Sequence, residues 1–338
     1  MRKLLIMLFF LLCNSFTPPS SNILPMWYPI LSLKQLHKQD IHKIIVDGVP
    51  YVCYKSNDTY IIHTDVCPHQ GASLAHGKIT VNGNLQCPYH SFEFCNGMFC
   101  SIPDPKNKRA LFTSKTILPV FPTSLKSDIL FMSFKPNIET EPFFPPEEYD
   151  PSFRAVSGFR IIEQDASLVI ENLLDMLHIS YVHSFGSRST PLPTRIHYHD
   201  ISNTSGRTVF SYTPNTDTIS NRVGGSPEVK VENEFHLPSN TITRVYAGNI
   251  IKTVFTRTLP ISKGKTLLFW IIYRNFWLDP YSDVFSIPGD ILIKFLMEKT
   301  INEDASMLKN IYPDQNNSLT TKYDITIREY RKKVQQFS

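Results

Sequence analysis

The sequence predicts an α+β protein: a small antiparallel-β domain, then a second domain with a long antiparallel sheet and flanking helices. Three observations lead there. Between Trp27 and Ile102 the chain is a series of short apolar and β-branched runs cut by turn residues such as Asp47-Gly48 and Asn57-Asp58. The stretch 137–151, NIETEPFFPPEEYDP, is Pro-rich and acidic and reads as a connection between domains. Residues 195–280 alternate β-branched and polar residues over several runs, and helical patterns follow at about 290–311 and 323–336. A length of 338 residues is enough for two domains with separate cores.

In chain order, Arg2 and Lys3 precede an apolar run from Leu4 to Leu12 and then small, turn-forming residues. The run is too short to span a bilayer, so residues 1–22 read as a targeting segment, with an N-terminal membrane anchor as the alternative. The expected divisions are a first domain over 23–140, a linker over 141–152 and a second domain over 153–338. Within the second domain, 159–164 is expected to be a strand. Residues 166–184 are expected to form one helix, with Asp165 as its N-cap and Gly186 just past its end. No internal repeat or low-complexity tract interrupts this order.

Composition narrows the function classes. An apolar fraction of 42% and a charged fraction of 19% are those of a globular chain, and 12% aromatic residues predict a ring-rich interior. The net charge is +4 without any Lys/Arg cluster, so nothing points to nucleic acid.

The chemistry-bearing residues fall into two constellations. Cys67-Pro-His69 is followed, after seventeen residues, by Cys87-Pro-Tyr-His90. Two mixed Cys/His pairs on two loops can each give one ligand to each iron of a [2Fe–2S] cluster, with Cys67 and Cys87 on one iron and His69 and His90 on the other. Zinc also accepts two Cys and two His, although zinc fingers usually pair like with like. Cys95 and Cys100 are expected to be ordinary buried thiols. The second constellation is Asn172, Asp175 and His178 at i, i+3 and i+6, on one face of the expected helix, with His183 five residues further on. Two His and one carboxylate from elsewhere would make the facial triad of a non-haem Fe(II) site, with three coordination positions open. The plain alternative is a helix with two unrelated histidines. His197 and His199 are expected to share one side of a strand, lining a surface or pocket.

The surroundings carry a resemblance. CPHQGASLAHGKI and LQCPYHSFEFCNGMFCSIP resemble the Rieske family throughout, including Gly71, Gly77, Gly97 and the Ile102-Pro103 end. Asn172-x2-Asp175-x2-His178-x4-His183 is similar to the pattern of Rieske non-haem iron oxygenases. Met26-Trp-Tyr-Pro-Ile looks like the start of their monooxygenase branch. The segment Thr320–Arg331 resembles the end of the pheophorbide a oxygenase and chlorophyllide a oxygenase group. The resemblance implies a [2Fe–2S] domain followed by a helix-grip-like catalytic domain, and a mononuclear Fe(II) held by His178, His183 and a late acid. That acid is Asp304, with Glu303 as the alternative. Asn172 would lie near the iron. Asp175 would bridge His178 to the partner subunit's His90 in a homotrimer. O₂ is the implied co-substrate, a ferredoxin or reductase the electron donor, and a small hydrophobic or aromatic molecule the substrate. That molecule would be a chlorophyll-derived tetrapyrrole, or one that is hydroxylated or O- or N-demethylated. A Rieske electron carrier without oxygenase activity is the alternative from another class. The extra disulfide of respiratory Rieske proteins would fall at Ala72 and Tyr89, which points away from them. Ser91 departs from the Gly usual after the second His, and no cysteine follows Cys100 to make the C-terminal Cys-x-x-Cys of plant members. Phe16 after the apolar run resembles bipartite plastid presequences and gives a plastid as the expected compartment.

Overall fold

The computed structural model describes residues 26–102, 118–135, 140–215, 228–278, 286–312 and 319–337. The expected targeting segment 1–22 and Pro103 lie outside them. Among the described residues no helix is long and apolar enough to cross a membrane.

The first region contains ten short strands: β1 (Trp27–Ser32), β2 (Ile41–Val46), β3 (Val49–Ser56), β4 (Thr59–Thr64), β5 (Lys78–Ile79), β6 (Leu85–Gln86), β7 (Glu93–Cys95), β8 (Met98–Ser101), β9 (Thr123–Lys126) and β10 (Ile129–Ser133). They form three antiparallel sheets, ordered β1-β10-β9, β2-β3-β4 and β5-β6-β7-β8. The turn residues act as read. Asp47 and Gly48 both take positive φ, 49° and 77°, and so close the β2–β3 hairpin in the mirror-image turn that matches strand twist. Alternation in β2 sends Ile44 and Val46 into a core with Tyr51, Cys53 and Ile62.

The second region is a seven-stranded antiparallel sheet ordered β11-β17-β16-β15-β14-β13-β12. Its strands are β11 (Arg154–Ile162), β12 (Thr194–Ser202), β13 (Ser205–Tyr212), β14 (Val229–His236), β15 (Asn240–Ala247), β16 (Ile250–Ser262) and β17 (Lys265–Arg274). Helix α1 (Leu33–Leu36) belongs to the first region; α2 (Ala166–Leu174), α3 (Ile179–Val182), α4 (Ser286–Leu308) and α5 (Ile325–Phe337) accompany the large sheet. Ile293, Met297, Ile301 and Leu308 form the buried stripe of α4, packed with Val169 of α2 and with Leu268, Trp270 and Ile272 of β17. The Gln164 amide donates to the carbonyls of Leu308 and Ile311, satisfying acceptors left open at the helix end.

The expected single helix over 166–184 is two helices. Asp175 leaves the helical conformation (ψ 129°), and its Oδ1 accepts the Leu177 amide at 2.7 Å. That side-chain acceptor offers the backbone an alternative to the helical ladder. Asp165 does stand at the N-cap of α2, but it makes no capping hydrogen bond there; its Oδ1 accepts from the Gly264 amide instead. Gly186 is not a helix cap. It sits four residues beyond α3, where a Cβ would come within 2.6 Å of the Ser180 Cα, so the chain can turn back against α3 only without a side chain.

The acidic connection is not a slack tether. Glu147 is buried and receives Arg244 on both oxygens, Nε–Oε1 at 2.5 Å and Nη2–Oε2 at 3.3 Å, with Thr253 Oγ1 at 2.9 Å. Glu148 accepts the Tyr273 hydroxyl at 2.7 Å. Ile129 and Phe131 of β10 pack with Phe255, Phe269 and Ile271 of the large sheet, and Leu259 of β16 joins the core of the small region, so the two regions are joined by apolar contacts.

Candidate functional site

In the small region each Cys/His pair sits on a loop with the same hydrogen-bond plan. The Cys67 amide donates to Ala72 O and the Gly71 amide to Cys67 O; the Cys87 amide donates to Phe92 O and the Ser91 amide to Cys87 O. Residue four after each Cys must turn left-handed: Gly71 has φ 76° and Ser91 φ 57°. At the first position a glycine takes this conformation freely, whereas Ser91 carries a Cβ into it. Asp65 braces the first loop by accepting Ser73 Oγ at 2.6 Å and the Ala75 amide at 2.7 Å.

These loops bury the sulfurs of Cys67 and Cys87 and present His69 and His90 outward, with their Nδ1 atoms 3.1 Å apart. Burial and the neighbouring Cys87 push the Cys67 thiol up, while backbone N–H groups of His69 and Gln70 aim at its sulfur and favour the thiolate. Two sulfurs within and two imidazoles at the rim is the donor set and polarity that a [2Fe–2S] cluster with mixed ligation requires. Cys67, His69, Cys87 and His90 fit it.

Cys95 and Cys100 correct the expectation. They are neither buried nor free: they form a disulfide, with Cα atoms 5.8 Å apart, across the β7–β8 hairpin. Asn96 and Gly97, at φ 48° and 77°, make the tight turn that brings the strands within bonding reach.

In the large region His178 precedes α3 and His183 ends it, so the one-turn helix carries both rings towards α4. The expected common face of Asn172, Asp175 and His178 does not exist, because the break at Asp175 separates α2 from α3. The rings meet all the same: His178 Nε2 and His183 Nε2 are 3.2 Å apart, and Asp304 Oδ1 lies 3.5 Å from the first and 3.2 Å from the second. Cis ligands about 2.1 Å from one ion lie roughly 3 Å apart, so a single metal can touch all three atoms. Asp304 Oδ1 is buried and has no hydrogen-bonding partner among the described residues. That is a lone pair awaiting a cation, and the three residues fit a mononuclear iron.

The acids around the rings divide their work. Glu303 Oε2 lies 2.9 Å from His183 Nδ1, on the far side of the ring from Asp304, so it orients the ring and does not join the triangle. Asp175 Oδ2 is 3.7 Å from His178 Nδ1, beyond hydrogen-bond length, and that nitrogen has no hydrogen-bonding partner among the described residues. The pKa directions follow. Burial opposes the His183 imidazolium, but Asp304 and Glu303 outweigh it and raise the pKa; at His178 burial wins and lowers it. Asn172 contributes its carbonyl to the Asp175 amide at 3.2 Å, and no side-chain bond from it to the rings is present among the described residues. His197 and His199 lie on the exposed face of β12, and His197 lines a shallow groove of about 450 Å³ with Arg195, Lys230 and Tyr246. Two residues near the site were not picked out from the sequence. Phe185 stacks on His183 (centroids 4.9 Å, 14°), and Lys252 Nζ lies 6.0 Å from the Phe185 ring. A lone Lys among β-branched residues in IIKTVF was the available signal.

A β domain with paired Cys/His loops ahead of a long antiparallel sheet with a His-His-Asp cluster is the architecture of a Rieske-type oxygenase component. The Rieske [2Fe-2S] domain matches residues 26–122 and the vanillate O-demethylase oxygenase C-terminal domain matches residues 162–337, so the chain belongs to the Rieske non-haem iron oxygenases that combine these two domains. This family's cofactors are the [2Fe–2S] cluster and a mononuclear iron that uses O₂. The chain is 26% identical over 298 residues to the chloroplastic protochlorophyllide-dependent translocon component 52 of Arabidopsis thaliana, which covers 74% of this chain and 53% of that protein. It is 26% identical over 187 residues to chloroplastic pheophorbide a oxygenase of Oryza sativa subsp. japonica, covering 50% of this chain and 35% of that one. The chain thus spans about half the length, or less, of these curated relatives. In fold it is similar to dicamba monooxygenase bound to 3,6-dichlorosalicylic acid, with TM-score 0.76 and 19% identity over 93% of this chain and 96% of that one.

Proposed function

We propose that the chain is an oxygenase component that inserts one oxygen atom of O₂ into a hydrophobic, aromatic substrate. The observation that carries the reading is the triangle of His178 Nε2, His183 Nε2 and Asp304 Oδ1 in a chain that also holds the Cys67/His69/Cys87/His90 loops. A bare electron carrier has no use for the triangle. When bound, the cluster supplies electrons one at a time and the iron supplies a place to activate O₂.

The residues have distinct parts in this reading. The buried Cys67 and Cys87 and the outward His69 and His90 would hold the cluster, the histidines on the side that a ferredoxin or reductase can approach. His178, His183 and Asp304 would hold the iron, and three protein ligands would leave coordination positions for chemistry. Glu303 holds the proton on His183 Nδ1 and keeps Nε2 unprotonated towards the metal. Asp175 is the connection between the two metal sites: in a homotrimer it would meet the partner subunit's His90. Phe185 shields one face of His183 from water. The division into a Rieske domain over 23–140 and a catalytic domain over 153–338 is part of the same proposal.

For the substrate, the pheophorbide a oxygenase relative supports a chlorophyll-derived tetrapyrrole, and the relative dicamba O-demethylase, oxygenase component, of Stenotrophomonas maltophilia supports O-demethylation of a smaller ring. The chloroplastic relatives support a plastid as the compartment. Iron analysis combined with O₂ uptake tests the reading. Three irons per chain and uptake stimulated by pheophorbide, chlorophyllide or an aromatic ether are expected. Two irons per chain and no stimulated uptake would make the chain an electron carrier.

A further inference from the structure

Lys252 stands on the face of β16 that turns towards α3 and the metal triangle. Its neighbours on this face are Val254, two residues along the strand, Val245 opposite it on β15 and Arg274 opposite it on β17. Val254 packs into the core beneath α4, and Val245 packs with Phe210 and Val231. Arg274 is already committed, to Asp290 Oδ1 at 2.7 Å, to the Trp277 carbonyl at 2.7 Å and to the Ser286 carbonyl at 3.1 Å. Lys252 has no ion pair or hydrogen bond among the described residues. Its ammonium lies over the Phe185 ring, with Nζ 6.0 Å from the centroid.

This is an unusual position for a cation. Lys252 keeps some solvent-accessible surface, yet burial depresses its ammonium and no carboxylate among the described residues opposes that effect. A buried charge without a counter-charge costs folding free energy, and it is tolerated where a ligand supplies the missing partner. Phe185 ties Lys252 to the candidate iron site. It stacks on His183 with centroids 4.9 Å apart and lies 6.0 Å from Lys252 Nζ, so this one ring neighbours both the ammonium and a candidate iron ligand.

We propose that Lys252 determines specificity by receiving a carboxylate carried on the planar hydrophobic substrate, whose other end lies at His178, His183 and Asp304. The inference rests on the oxygenase reading above. A single ammonium whose neighbouring guanidinium, Arg274, is already taken by Asp290 suits one unit of negative charge, and therefore a carboxylate rather than a phosphate. The surrounding Val245, Val254 and Phe185 suit the ring that bears it.

The iron-loaded full-length protein tests this by equilibrium titration with two matched pairs. One is 4-methoxybenzoate and its methyl ester; the other is pheophorbide a, with its free propionate, and its methyl ester. In at least one pair the acid is expected to bind about 30-fold or more tightly than the ester. The pair that shows it identifies whether the carboxylate comes from a benzoate-sized ring or a tetrapyrrole. Lys252→Met, which keeps the apolar stem, should abolish the preference by weakening the acid alone, and Lys252→Arg should retain most of it. Lys252→Met should also raise the Tm of the ligand-free protein, because an unpaired buried charge is gone. Equal binding of acid and ester in both pairs overturns the inference, as does a preference that survives Lys252→Met. O₂ uptake by the same samples separates the two levels. Uptake with the esters but no acid preference removes Lys252 and leaves the oxygenase, whereas no uptake and two irons per chain remove both.

Discussion

Between Cys67 and His90 the small region gathers four candidate ligands from two neighbouring loops, with imidazoles at the surface and, among the described residues, no carboxylate against them. The large region gathers two imidazoles from either end of α3 and a carboxylate from α4, more than a hundred residues further along the chain, and surrounds them with Asp175 and Glu303. The first site is local, outward-facing and low in charge. The second is non-local, inward-facing and acidic. The difference suits a cluster that must exchange electrons with another protein and an ion that must be kept in a shielded pocket. It also means that the first site depends on loop conformation, while the second depends on helices staying docked on the sheet.

The largest expected effect breaks the frame that holds the two regions together. Glu147→Gln leaves the Arg244 guanidinium buried without its full counter-charge and should cost about 3 kcal/mol of stability, read by thermal or denaturant unfolding. The same pair gives a pH dependence. Burial raises the Glu147 pKa, but the Arg244 hydrogen bond and charge overcome it and hold the carboxyl below its ordinary value. Its stabilisation is therefore present above the unfolded carboxylate pKa and is lost as pH falls through the folded one. Acid should lower the Tm of the natural protein more than that of Glu147→Gln, and equal slopes would remove this pair as a cause.

Next in size is Asp304→Asn, which removes the one anionic corner of the triangle. Iron should fall from three to two per chain, and O₂ uptake should drop at least about 100-fold, while the visible spectrum of the cluster stays unchanged. A coincident loss of the cluster would erase the independence of the two sites. A smaller effect is expected for Glu303→Gln, which keeps the triangle and weakens only the grip on His183 Nδ1. Iron affinity should fall about 10-fold, recoverable by added Fe(II), with the cluster again untouched. The smallest sharpens the other half of the comparison. Ser91→Gly relieves a left-handed residue on the second cluster loop and should stabilise the protein by up to about 1 kcal/mol, with four cluster ligands in place. An unchanged or lowered Tm would show that the serine hydroxyl offsets its backbone cost.

Legibility divides along the same line. The two cluster loops could be read because their ligands are spaced by the loop itself, and the turn residues that shape the small sheets are local signals. The disulfide between Cys95 and Cys100 could not, because nothing in the spacing shows that the β7–β8 hairpin brings those two strands into bonding geometry. The break at Asp175 was hidden for a related reason. The pattern of 166–184 is helical throughout, and a single carboxylate accepting the Leu177 amide overrides it.

By itself, then, the sequence determined the α+β order, the Cys/His loops, the pair His178 and His183, and the late acidic segment that holds Asp304, since each is a property of neighbours along the chain. Only the tertiary structure decided which acid meets both rings and which stands behind one of them. Asp304 and Glu303 are adjacent in sequence, and their different directions come from the docking of α4 on the sheet through Ile293, Met297 and Ile301. The pairing of β16 with β15 and β17 likewise places Lys252 beside Phe185, without an ion pair among the described residues.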